Sequence, residues 1–103
     1  MNLCVFTGYL AEDPVLAKID GVSFLDLRLV IYNYRRTKNT GEKSRTPVYL
    51  YFEAWHTGAE TIAKLASKGT KITVHASAKN TSKDAEDVVF RINEFDLNLE
   101  DNQ

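Results

Sequence analysis

Cysteine is nearly absent from this sequence, with Cys4 alone among 103 residues. That excludes an internal disulfide and any multi-cysteine metal cage, and it fits a reducing compartment. Long apolar runs are missing too. No stretch approaches the ~20 residues of a bilayer span, and the opening Met1-Asn2-Leu3-Cys4-Val5-Phe6 has neither a basic leader nor an extended apolar segment. The expectation is a soluble, unprocessed cytoplasmic protein with no membrane partner. Catalytic signatures are equally scarce. There is no Gly-rich phosphate loop, and no Ser or Thr stands in a nucleophile elbow. His56 and His75 lack a His, Asp or Cys at ligand spacing, and Cys4 suits a small core position. Asp13 precedes Pro14 as a turn residue, and Glu60 is claimed by a helix start. No enzyme, metal or cofactor is expected.

A general surplus of cations, the usual mark of a protein that meets a polyanion, is lacking as well: the net charge is −1. The charge is unevenly spread, however. Between 35 and 45 stand Arg35, Arg36, Lys38, Lys43 and Arg45 against Glu42 alone. From 84 onward Asp84, Glu86, Asp87, Glu94, Asp96, Glu100 and Asp101 face only Arg91. The sign of the field therefore depends on the face presented.

What the sequence does have is hydrophobic alternation. Apolar residues make up 44% and charged residues 26%, the balance of one folded domain. Period-two patterns predict strands over 2–10, 24–35, 47–56, 70–79 and 87–97, with Asp13-Pro14 and Asp20-Gly21 as reversals and Val15-Leu16 as a short apolar continuation. In the second strand Leu25, Leu27, Leu29 and Ile31 take the core side. In the third, Val48, Leu50, Phe52 and Ala54 do so, leaving Tyr49, Tyr51, Glu53 and Trp55 on the other face. Residues 36–45 lack a large apolar side chain and predict an exposed, mobile connection. Thr57-Gly58-Ala59-Glu60 has capping-box spacing, Ala59, Ile62, Ala63, Leu65 and Ala66 recur at helical spacing, and Gly69 is placed to close the helix. Five strands with one α-helix between the third and fourth give a mostly β fold, the OB-fold Greek-key barrel, over residues 1–98, with a short acidic end at 99–103.

A single strand of DNA offers phosphates to cations and base faces to flat rings, whatever its sequence. Tyr49, Tyr51 and Trp55 project from one strand face, and Tyr32 and Tyr34 extend the platform from the neighbouring strand. Arg35, Arg36, Lys38, Lys43 and Arg45 supply phosphate contacts from the hairpin. An aromatic strand face can equally be buried between protomers, and a basic hairpin can be a merely solvated loop. Their coincidence on adjacent strands favours binding.

On these residues the chain resembles the bacterial-type single-stranded DNA-binding (SSB) proteins. The likeness runs from Asn2 through Gly8-Tyr9-Leu10 to Asp13-Pro14. It continues from Leu25 through Thr40-Gly41-Glu42-Lys43, Phe52-Glu53-Ala54-Trp55 and Ala59-Glu60 to Lys68-Gly69. The resemblance implies a homotetramer or homodimer of OB folds that binds single-stranded DNA in replication, recombination and repair, with replication or repair proteins as further partners. It places Tyr49 where the family has a stacking Trp and Trp55 where it has a stacking Phe. Arg35 and Lys83 fall where the family often has further tryptophans, so charge replaces stacking there. Lys79 matches a commonly basic position, and the hairpin over Thr81 to Asp87 is short. Family members continue into a Gly- and Pro-rich tail with an acidic Pro-Phe tip, whereas this sequence runs to Glu100-Asp101-Asn102-Gln103, the pattern of phage, plasmid or accessory members. The alternatives are a subunit like primosomal replication protein N, with a helicase or initiator partner, and an oligomerisation module.

Overall fold

Alternation of apolar and polar side chains makes a strand with two unlike faces, and the longest such stretch becomes the spine of the molecule. The computed structural model describes residues 1–99. The expected acidic end at 99–103 lies outside them except for Leu99. In chain order the elements are β1 (Cys4–Leu10), β2 (Leu16–Ile19), β3 (Val22–Arg36), β4 (Lys43–Trp55), α1 (His56–Leu65), β5 (Lys71–Asn80) and β6 (Val88–Asn98). Five strands close a ring in the order β1, β5, β6, β4, β3, and the last returns to β1 through Tyr9↔Val30 and Leu10↔Leu29. All neighbours are antiparallel except β4 and β6, which touch in parallel at Phe52↔Phe90 and Glu53↔Arg91. This is the expected OB barrel with its helix after the long second hairpin strand.

Ring closure needs a close crossing of β1 and β3, and a glycine stands there. A Cβ on Gly8 would lie 2.6 Å from the Val30 carbonyl oxygen. Inside the ring Leu25, Leu27, Leu29, Phe52, Ala54, Ile72, Val74 and Ala76 are at most 3% exposed, and Ala59 and Ile62 of α1 plug one end at 0%. Phe6 adds edge-on contacts to Phe52 and Phe90, with centroids 5.7 and 5.1 Å apart.

Several local expectations change. A sixth strand, β2, replaces the Val15-Leu16 continuation. Asp20 and Gly21 both take positive φ (51° and 79°), the left-handed pair of a type I′ turn, which aligns Leu16–Ile19 on β3. Backbone pairing suffices here, since Leu16 and Ile19 remain exposed. The 36–45 connection also shortens. The ladder of β3 and β4 continues to Arg36↔Lys43, and the turn between them is fixed by Thr37 N–H donating to the Glu42 carbonyl (2.9 Å) and Gly41 N–H to that of Thr37 (2.8 Å). Polar side chains concealed this arm because a two-stranded ladder exposed on both faces needs no apolar alternation.

The capping box is not used. α1 starts at His56, whose φ is +59°, and no side chain caps its first turn. Glu60 instead accepts a hydrogen bond from Ser23 (2.8 Å), whose oxygen accepts from the Lys18 ammonium (2.9 Å). Ser23 is 3% exposed, so its hydroxyl requires partners and claims the carboxylate. Gly69 is left-handed (φ +90°), but the helix ends at Leu65, ahead of it. Gly69 N–H donates to the Leu10 carbonyl (2.8 Å) and Lys68 N–H to Asp13 Oδ1 (2.7 Å), tying the turn to the end of β1. Among the described residues no helix is long and apolar enough to cross a membrane.

Candidate nucleic-acid interface

The outer face of β3 and β4 is set by register. From the arm tip toward the helix the outward cross-strand pairs are Arg36↔Lys43, Tyr34↔Arg45, Tyr32↔Pro47, Val30↔Tyr49, Arg28↔Tyr51, Asp26↔Glu53 and Phe24↔Trp55. Each of the first five pairs holds a cation or a tyrosine, with Pro47 and Val30 as the partners of Tyr32 and Tyr49; carboxylates form the sixth pair and aromatics the last.

In the middle of this face lies a concavity of about 510 Å³ whose walls include Tyr9, Arg28, Tyr32, Arg45, Tyr49 and Lys68. The Arg45 guanidinium sits 4.2 Å from the Tyr32 ring centroid and that of Arg28 sits 5.2 Å from Tyr49. Each contact contributes about 0.5–1 kcal/mol at an exposed site, which holds planar cations against planar rings. Tyr9 packs 6.3 Å from Tyr32 and extends the platform onto β1. Arg28 Nε is shielded from solvent without a hydrogen-bond partner; Glu12 approaches it at 3.7 Å, an ion-pair distance only. The rest of the guanidinium remains accessible, the side chain being 38% exposed, at the wall of the groove beside Tyr49.

The predicted residues are unevenly distributed around this centre. Tyr32, Arg45 and Tyr49 meet in the concavity, with Tyr49 53% exposed. Tyr34, 76% exposed, lines a second hollow of about 320 Å³ on the arm with Arg35, Arg36 and Lys43. Arg35 itself pairs with Ser44, in the alternate register to Tyr34 and Arg36. Lys38 sits in the arm turn. Tyr51 borders a separate hollow with Asp26, Thr81, Asp87, Val88 and Val89.

Trp55 and Lys79 do not join the cluster. The Trp55 indole N–H donates to Glu53 Oε1 (3.2 Å) and its ring packs on Phe24, centroids 4.5 Å apart. Lys79 is committed to the same oxygen at 2.9 Å, forming an ion pair with a side chain only 10% exposed. Lys83 lies in the loop between β5 and β6, close in sequence to Asp84, Glu86 and Asp87. Burial, and then the charge of Glu53, hold the Asp26 carboxyl above its ordinary range.

Tyr9, Arg28 and Lys68 were missed by sequence reasoning. The parity of Arg28 with Tyr32 and Tyr34 was a usable signal, but Tyr9 and Lys68 arrive only through ring closure and the Asp13 tie. Among the described residues no group of three His, Cys, Asp or Glu side chains could hold a metal ion.

Barrel, plugging helix and basic arm together have the OB fold of single-stranded DNA-binding proteins. Among solved structures, the wild-type single-stranded DNA-binding protein from Thermus aquaticus superposes with TM-score 0.75 at 25% identity, covering 95% of this chain and 50% of that one. The chain thus spans about half the length of the Thermus protein. A Plasmodium falciparum SSB in complex with ssDNA gives TM-score 0.72 at 19% identity over 94% of this chain and 92% of that one. The protein priB from Ralstonia solanacearum gives 0.71 at 16% identity over 95% and 99%. No protein-family model and no curated protein sequence matches the chain.

Proposed function

We propose that this protein binds single-stranded DNA without sequence preference in replication, recombination and repair, as a cytoplasmic binding module and not an enzyme. The observation that carries the reading is the groove where two Arg–Tyr pairs, Tyr9 and Lys68 converge on one face of an SSB-like barrel. Bases stack on the rings and guanidinium planes while the cations neutralise phosphate. Tyr49, Tyr32 and Tyr9 are the central stacking surfaces, Tyr34 and Tyr51 flank them, and Arg28, Arg45, Lys43, Arg36, Arg35 and Lys38 hold the backbone. Outward-facing Leu3 and Val5, 59% and 54% exposed beside β5, support assembly into a homo-oligomer.

The test is the polarisation of a labelled thymidine oligomer across a salt series. Affinity should fall as salt rises, with log K losing about 0.7 per log salt for each phosphate neutralised. Oligo-dT and a mixed-sequence oligomer should bind alike, and duplex DNA much more weakly. Equal affinity for duplex, or no binding of the single strand, would overturn the reading.

A further inference from the structure

Stacking on Trp55 is what position alone suggests, since that residue shares the outward face with Tyr49 and Tyr51. Its surroundings differ in sign. Moving from Arg28↔Tyr51 to the next outward pair, the ladder reaches Asp26↔Glu53, two carboxylates directly opposite each other. Beyond them, the hollow beside Phe24 is bordered by Glu12, Asp13 and Asp26. The cations nearby do not reverse this. Lys79 is bound to Glu53 and Glu12 approaches Arg28, while Arg91, the register neighbour of Glu53 on β6, is exposed and makes no ion pair among the described residues. Counted alike, the carboxylates of Asp26, Glu53, Glu12 and Asp13 stand against the cations Lys79, Arg28 and Arg91, so this end of the face keeps an excess of negative charge.

Resting on the single-strand reading above, we infer that the nucleic acid runs from the arm through the groove of Tyr9, Tyr32 and Tyr49 and leaves Trp55 outside its path. Two effects act together. A phosphate brought beside this carboxylate pair is repelled, and more strongly at a protein surface than in bulk water. The indole itself is engaged, its N–H by Glu53 and its ring by Phe24. Its work is structural: it donates to a nearly buried carboxylate and packs on Phe24 at the helix-proximal end of the sheet. The carboxylate pair thus ends the binding track and gives it one closed end.

Because Trp55 is the sole tryptophan, the native protein reports its own answer. Acrylamide quenching of Trp55 should be the same with and without saturating oligo-dT. Trp55→Phe and Trp55→Leu should bind labelled oligo-dT within about twofold of the parent, whereas Tyr49→Ala and Arg28→Ala should each weaken it at least fivefold, the lower end of a lost base stack of about 1 kcal/mol. Protection of Trp55 by the oligomer, or a fivefold loss in Trp55→Phe, sinks the path while leaving DNA binding intact. The quenching arm needs no substitution, so a Trp55→Leu variant that fails to fold does not blunt the test. Absence of any oligomer binding by the parent sinks both readings at once.

Discussion

Asp26 shows how one residue can be held at a cost. It faces Glu53 across the ladder with no hydrogen bond of its own among the described residues, and both burial and its neighbour disfavour its charge. An acid whose folded-state pKa lies above its unfolded value destabilises the fold while ionised in both states. The cost disappears as pH falls through the folded pKa to the ordinary carboxylate range. Asp26 is nevertheless solvent-exposed, so screening limits the effect, and Asp26→Asn should raise stability at pH 7 by at most about 0.5 kcal/mol, within the lower half of the range for a like-charge cross-strand pair. Urea unfolding should show that gain shrinking by pH 4. A gain that is absent at pH 7, or independent of pH, contradicts the account. The ion pair of Glu53 with Lys79 keeps the second carboxylate in place in either variant.

At the scale of the element, the crossing of β1 over β3 is the tightest constraint in the fold. Gly8→Ala puts a methyl 2.6 Å from the Val30 carbonyl oxygen and 2.8 Å from Ile31 Cγ1. The backbone oxygen cannot step aside without breaking Tyr9↔Val30, so a loss of about 1–3 kcal/mol is expected, the usual cost of overpacking. A thermal melt indistinguishable from the parent would show that the crossing is looser than described. The same crossing marks how far the sequence could be read. Alternation through Leu25, Leu27, Leu29 and Phe52 announced which faces are buried, and Asp20-Gly21 announced its turn, because both signals are local. The arm was illegible because Lys43, Ser44, Arg45 and Thr46 pair through backbone groups that carry no side-chain pattern. Tyr9 and Lys68 were hidden for a different reason. They reach the groove only after β1 meets β3 and Asp13 pins the turn after α1, contacts made between segments far apart in the chain. The engagement of Trp55 was invisible likewise, since alternation gives the side of a strand and not what shares it.

For the whole molecule, a net charge of −1 conceals a separation of sign along a body extending 55 × 41 × 23 Å. The arm carries Arg35, Arg36, Lys38 and Lys43, while Asp26, Glu53, Glu12 and Asp13 cluster toward the opposite end of the β3–β4 face. At physiological ionic strength charges are screened beyond about 8 Å, so the arm attracts a polyanion without much opposition from the far carboxylates. Arm and groove then have different kinetic duties: exposed peripheral cations govern encounter, and groups enclosed with the ligand govern release. Stopped-flow binding of oligo-dT should separate them. The double variant Lys38→Gln, Lys43→Gln should slow association at low salt by up to about tenfold, the lower end of electrostatic steering, with dissociation nearly unchanged. That deficit should fade as added salt screens both proteins alike. Arg28→Ala should do the reverse, speeding dissociation and leaving the association rate close to the parent's, because its guanidinium lies within the groove over Tyr49. If the arm variant instead dissociates faster with normal association, the arm clamps the strand directly. The division between a steering arm and a holding groove would then have to be abandoned.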